Sequence, residues 1–219
     1  MTDNIFLKRT FSEEKTRSEY SKVVRIYNIW SGLFESKAAK NVIELAQIKN
    51  GEAVLEAAVG TGILFEKVIG LNENGINEGI DLSPEMLSRA EDRLINRRRS
   101  NYHLQVGSVY KLPYEDNKFD LIINNYMFDL LPEEDYPKIL AEFSRVLKTS
   151  GRVVISTMTF GKKWFNKPWT KIAEWFPKLM TQCRPVNIGD YILKAGFKIE
   201  ITEQISQNTF PSEIIKAIK

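Results

Sequence analysis

From residue 51 onward, short apolar runs alternate with amphipathic stretches. Ala53-Val-Leu-Glu56 reads as a buried strand, and Ile63–Ile69 as the helix that follows it. Asn77–Asp81 is the next strand. Ser83-Pro84-Glu85 then opens a helix running to about Arg98: a serine N-cap, a proline at the first helical position, and an acid at the positive end of the dipole. His103–Val106 and Phe119–Asn124 read as the third and fourth strands. Ile139, Leu140, Phe143, Val146 and Leu147 form one apolar stripe within a helix over Glu133–Leu147, and Thr149-Ser-Gly151 turns the chain into a fifth strand, Arg152–Thr157. Asp190–Ala195 is predicted as a helix stopped by Gly196, followed by strands at Phe197–Thr202 and Ser212–Lys219.

Strands and helices at this pitch predict right-handed βαβ units. The expected fold is α/β and Rossmann-like: a mostly parallel sheet, helices on both faces, and a C-terminal antiparallel strand contributed by the last hairpin. Residues 1–50 read as an N-terminal helical cap, with Tyr20, Val23, Val24, Tyr27, Trp30 and Leu33 at helical spacing and a second helix at Ala38–Leu45. Residues 51–219 form the main domain, interrupted by an aromatic, lysine-rich insert at 160–183. In the insert Phe165, Trp169, Ile172 and Phe176 follow helical spacing, with lysines between them. Such a segment suits a lid packed on the sheet, or a peripheral membrane contact through residues 162–180.

Composition narrows the class. A formal charge of +3 is too small an excess to argue for nucleic acid. Cys183 is the single cysteine, so no internal disulfide can form, and a reducing, cytoplasmic setting is expected. The polar, acid-bearing N-terminus is not of the signal or transit type, and no apolar run approaches the roughly 20 residues of a membrane span. No His/Cys/Asp/Glu group has metal-ligand spacing.

The chemistry concentrates in Gly51-Glu-Ala-Val-Leu-Glu-Ala-Ala-Val-Gly-Thr-Gly62. Glycines directly after a strand let backbone approach a ligand, and the following helix offers its N–H groups. A dinucleotide loop needs a third glycine, but Phe65 or Ile63 stands there; a P-loop needs Gly-Lys-Ser/Thr, which is absent. Asp81, at a strand end about 20 residues further on, is placed to accept both hydroxyls of a ribose.

Glu56-Ala57-Ala58-Val59-Gly60-Thr61-Gly62 resembles the first motif of the class I S-adenosyl-L-methionine (SAM) methyltransferases, with Ala58 in place of that motif's first glycine. Tyr27-Asn28, Ile80-Asp81-Leu82-Ser83, Leu112-Pro113-Tyr114, Phe119-Asp120 and Arg145-Val-Leu-Lys148 before Gly151 bring it nearest to the ubiquinone/menaquinone-biosynthesis type, over roughly residues 20–158. The resemblance implies a SAM pocket. Glu56 would hold the loop or meet the ligand's ammonium, and Asp81 would take the ribose, with Leu82 and Met86 against the adenine. Gly107, Ser108 and Val109 would lie at the base's edge, with Ser108 where the family usually carries an acid. Asn125 would line the pocket. Tyr27 and Trp30 could roof the sulfonium in a cation–π arrangement or pack in the core.

The substrate side is less marked. Tyr126 and Asp129 are the candidates for acid–base work on an acceptor; Asp129 could equally cap the helix starting near Pro132. Trp30, Trp164 and Arg184 are candidates for contact with the acceptor, Arg184 with an anionic one. His103 opens its strand at the end away from the site and is expected to be structural, and Cys183 reads as a passive thiol. Arg97–Arg99 solvates a helix end. The expected activity is methyl transfer from SAM to a small, hydrophobic acceptor: a quinol, phenol, thiol or lipid. A non-catalytic SAM-binding protein and an NAD(P)-dependent oxidoreductase are the rival readings.

Overall fold

A computed structural model describes residues 36–161, Trp169 and residues 183–219. In chain order they form α1 (Ser36–Ala46), β1 (Ala53–Ala57), α2 (Ile63–Leu71), β2 (Ile76–Asp81), α3 (Pro84–Asn96), β3 (His103–Val106), β4 (Phe119–Asn125), α4 (Tyr136–Val146), β5 (Leu147–Met158), α5 (Gly189–Lys194), β6 (Lys198–Gln207) and β7 (Phe210–Ile218). Two short 3-10 turns, Phe128–Leu130 and Glu133–Asp135, lie between β4 and α4.

The strands form one sheet in the order β3-β2-β1-β4-β5-β7-β6. The first five pair in parallel, while β7 runs antiparallel to both β5 and β6. The expected α/β sheet with a C-terminal antiparallel strand is therefore what the chain builds. Strand order reverses between β1 and β4. A doubly wound sheet opens its binding crevice at such a reversal, beyond the strand C-termini.

Side-chain alternation sorts the core into two layers. Val54, Leu121, Ile123 and Val154 face α1, α2 and α3, whereas Leu55, Ile122, Val153 and Ile155 face α4 and α5. All five residues of β1 are buried, as a central strand requires. Gly79 in β2 permits the close approach of α2: a Cβ there would lie 2.6 Å from Leu104, 2.8 Å from Val59 and 3.1 Å from Phe65.

Several boundaries differ from the sequence expectation, each for a local reason. The helix expected from Glu133 begins as a 3-10 turn, and α4 proper starts at Tyr136. Pro137 has no N–H to offer the Glu133 carbonyl, so the first α-type bond there cannot form. The last hairpin is longer than expected and closes through Asn208 and Thr209, both with positive φ (48° and 68°). That is the backbone of a two-residue hairpin turn. A β-branched threonine at such a position hides the turn from a sequence reading.

The sheet end opposite the crevice is tied by three asparagines. The Asn72 amide donates to Asn77 Oδ1 (2.9 Å) and the Glu52 carbonyl (2.9 Å), Asn77 donates to the carbonyls of Asn72 and Asn101, and Asn101 donates back to the Asn72 carbonyl. α1 is held to the same sheet by Arg152, which donates to the Ala46 carbonyl and pairs with Glu52 at 2.7 Å. His103 sits on edge strand β3, its Nδ1 2.8 Å from Glu78.

Candidate active site

The β1–α2 loop lies at the strand-order reversal. Its backbone turns left-handed at alternate residues: Ala58 (φ 65°), Gly60 (φ 56°) and Gly62 (φ 75°). Glycine accepts this conformation at no steric cost. Ala58 adopts it with a Cβ, held by its own N–H donating to the Ile80 carbonyl at 2.8 Å. Ala58 thus takes the left-handed conformation that glycine adopts most readily. Gly62 is needed for packing as well, since a Cβ there would meet Ala90 at 3.0 Å.

Asp81 organises the loop. Its Oδ2 accepts the Gly60 N–H at 2.8 Å and its Oδ1 accepts the Ser83 N–H at 2.9 Å. It therefore links the ends of β1 and β2 to the start of α3, whose cap is Ser83, accepting from the Met86 N–H. Burial raises the Asp81 carboxyl above its ordinary value, and the N–H groups of Ser83, Gly60 and Leu82 work against that rise. Leu82 is half-buried beside it, and Met86 is buried at the first turn of α3. Thr61 is buried, and its carbonyl accepts from Arg93 Nε at 2.9 Å.

Glu56, by contrast, is 1% exposed, and its Oε2 has no hydrogen-bond partner within the protein. Burial lifts its carboxyl well above the usual carboxylate range, and the neighbouring charge of Asp81 lifts it further. A buried, unpartnered carboxylate is costly. It is relieved by taking up a proton or by meeting a cation.

The third wall follows β3. The Gly107 N–H donates to the Asp81 carbonyl at 3.0 Å, and Ser108 Oγ accepts the Tyr110 N–H at 3.2 Å. A Cβ on Gly107 would lie 2.5 Å from Ile80. Val109 is partly buried against the α4 side of the core. Asn125 accepts a hydrogen bond from Ser156 Oγ, and alternation along β4 puts it on the same sheet face as Glu56.

Asn124, next to it, was not picked out by the sequence reading. It is fully buried, and its amide donates to the Ala57 carbonyl at 2.8 Å, fixing β1 just before the loop. The period of two along β4 is the signal that separates the two asparagines.

The acid–base candidates lie deeper. Tyr126 is buried, its hydroxyl bonded to Ser212 and its N–H to the Ser156 carbonyl. Asp129 does not cap α4, which corrects that expectation. Pro132 and Asp135 occupy the cap positions, and neither makes a side-chain cap bond. Instead the Asp129 carboxyl is fully buried beside Cys183, the Met158 backbone and the Arg184 guanidinium, with burial pushing it up to about 6. Arg184 is 6% exposed. Its guanidinium donates to Glu133 (2.9 Å) and to the Leu131 carbonyl (2.7 Å), so it is engaged within the fold. Tyr27, Trp30 and Trp164 lie outside the described residues, as does the 160–183 insert apart from its ends and Trp169. The Trp169 indole donates to Thr209 at 2.9 Å and its ring packs edge-on against Phe210. Among the described residues no group of three His, Cys, Asp or Glu could hold a metal ion, and no helix is long and apolar enough to cross a membrane.

Residues 54–151 match a family described as a methyltransferase domain. The demethylmenaquinone methyltransferase of Halalkalibacterium halodurans is 28% identical over 149 residues, covering 65% of this chain and 59% of the relative. The chain thus spans less than two thirds of that relative's length. A SAM-dependent methyltransferase from Aquifex aeolicus shares the fold with a TM-score of 0.65 at 19% identity, over 95% of this chain and 99% of the other. The 4+2 cyclase SpnF shares it with a TM-score of 0.75 at 18% identity, over 95% and 96%. One fold thus serves more than one reaction, and the site must supply the argument for chemistry.

Proposed function

We propose, from the match of residues 54–151 to a methyltransferase domain, that this chain transfers a methyl group from S-adenosyl-L-methionine to a small, apolar acceptor of the quinol, phenol, thiol or lipid class. The observation that carries the cofactor half is Glu56, a buried carboxylate with an unpartnered oxygen at the strand-order reversal. A ligand with an ammonium tail supplies the cation that Glu56 lacks. Asp81 keeps the loop in shape while its remaining lone pairs take the ribose hydroxyls. Ser108 and Val109 meet the base, and Gly60 and Gly62 let the ligand lie against the backbone.

Once bound, the cofactor supplies an activated methyl group for in-line displacement. The protein's part is then to align the acceptor and keep water out. Acceptors with an ionisable O–H or S–H need a proton acceptor, for which Asp129 and Tyr126 are the candidates beyond β4. The quinone-like half of the proposal draws on the relative named demethylmenaquinone methyltransferase.

Titration calorimetry with SAM, S-adenosylhomocysteine and NADH tests the cofactor. Binding of the two adenosyl ligands without NADH is expected; binding of NADH alone overturns the reading. Methyl transfer is then assayed over a panel of quinols, phenols, thiols and lipid amines. Turnover on one or more of these apolar acceptors is expected, and SAM binding without turnover on any of them leaves a binding protein.

A further inference from the structure

Residues 107–118 join β3 to β4 without regular structure, and among them Ser108–Tyr110 stand at the crevice. The backbone groups beyond them are satisfied by α4. Arg145 donates through Nη1 to the Tyr114 carbonyl (2.8 Å) and Asp116 Oδ1 (2.8 Å), and through Nη2 to the Leu112 carbonyl (3.0 Å). The Arg145 carbonyl accepts the Asn117 N–H at 3.0 Å. Glu142 holds the fork from behind, with Arg145 Nε at 2.8 Å and Nη2 at 2.9 Å, and its Oε2 also accepts the Leu112 N–H at 2.8 Å. Both backbone groups of Leu112 are therefore paired with side chains of one ion pair, in place of a neighbouring strand. The pair is tight enough to hold Glu142 below the usual carboxylate range and Arg145 above its own. At its other end the connection is tied by the Tyr110 hydroxyl donating to Asp135 at 2.7 Å, just before α4.

We propose that Arg145, braced by Glu142, is a positioning residue for the base of the cofactor: from the back of the domain it fixes the β3–β4 connection so that Ser108 and Val109 present one edge to the nucleobase. The inference rests on the cofactor reading above. A ribose held at Asp81 has its base beside the neighbouring strand end, and that end is Gly107–Val109, whose first N–H is bonded to the Asp81 carbonyl. A loop of this length with no ladder of its own is ordered only by what holds it. A planar guanidinium reaching two backbone carbonyls and the Asp116 carboxylate at once is not replaceable by lysine, whose compact ammonium lacks the fork.

The test compares S-adenosylhomocysteine with its inosine counterpart, which differ along one edge of the base, at the 6-substituent and in the proton on N1, in wild type, Arg145→Lys and Glu142→Gln. Wild type is expected to prefer the adenosyl ligand. Arg145→Lys is expected to lose about tenfold in adenosyl affinity, on the order of 1.4 kcal/mol, and to bring the ratio between the two ligands towards one. Glu142→Gln, which keeps one acceptor, is expected to move both readouts the same way by less. Hydrogen exchange should quicken over residues 106–117 in both variants while residues 53–66 stay protected. Unchanged affinity in both variants overturns the proposal. So does an equal loss for both ligands, which is what general loosening gives, and so does a wild-type ratio near one. A wild-type chain that binds neither ligand overturns the cofactor reading as well.

Discussion

Glu56 and Asp81 are neighbouring buried carboxylates that the fold treats unequally: Asp81 accepts N–H groups from Gly60 and Ser83, and Glu56 Oε2 accepts none. Glu56 thus lacks at Oε2 the donor that would favour its ionised form. Its folded value lies above the ordinary 4.5, through burial first and the Asp81 charge second. The stability it contributes is fully present below about pH 4.5 and is lost as pH rises through its folded value. A ligand ammonium favours the ionised form, so binding should expel a proton and affinity should rise with pH across that window. Calorimetry in paired buffers of different ionisation heat, repeated from pH 4.5 upward, should show an interval of proton release in wild type that is absent in Glu56→Gln. The variant should bind S-adenosylhomocysteine about tenfold more weakly yet be the more stable protein without ligand. Equal heats in the two buffers for wild type would count against the pairing.

Asp81→Ala removes the link between Gly60 and Ser83 as well as the ribose acceptor. The core beneath it is expected to be unaffected, since Val59, Phe65 and Leu104 still close around Gly79. Cofactor affinity should fall by at least tenfold, about 1.4 kcal/mol, with the far-ultraviolet dichroism unchanged. Affinity within twofold of wild type would remove Asp81 from the ribose and leave it a loop brace.

Much of this site is local in sequence, and that part was legible. A strand, an acid, glycines and a helix N-terminus lie within a dozen or so residues, and each has its own physical signature. What was not legible is carried by contacts between distant segments. Arg145 and Leu112 are brought together by side-chain-to-backbone bonds, which leave no periodicity to read. The capping expectation for Asp129 failed because Asp129 lies inside its own 3-10 turn, with Pro132 and then Asp135 in the cap positions before α4. Ala58 reads as a lost glycine, yet the backbone keeps the glycine conformation around it.

That retention makes Ala58→Gly informative. An alanine at φ 65° carries a left-handed penalty of about 1–2 kcal/mol, and glycine's greater freedom in the unfolded chain returns part of it. The variant should be more stable by about 0.5–1 kcal/mol in urea unfolding, with the loop shape and cofactor affinity retained. A destabilised variant would mean that the Ala58 methyl, which packs against the α4 side of the core, outweighs its backbone strain.

Asp129→Asn separates stability from chemistry at the second buried acid. Burial moves the Asp129 carboxyl from an ordinary 3.8 to about 6. Its contribution to stability is therefore complete below about pH 3.8 and lost as pH rises through about 6. Above that, wild type keeps a desolvated carboxylate whose cost is on the order of 1–3 kcal/mol, partly offset by the Arg184 charge beside it. Asparagine cannot ionise, so the variant should unfold at a higher temperature than wild type near pH 8 and at a similar one near pH 4. Should Asp129 also take the acceptor's proton, the same substitution slows transfer to phenols and thiols by about 10²–10⁴ and removes the limb near pH 6 from the rate profile. Affinity for S-adenosylhomocysteine should hold in either case. A variant with the altered stability profile but wild-type rates would assign Asp129 to the Cys183–Arg184 junction alone, and would leave Tyr126 as the remaining acid–base candidate beyond β4.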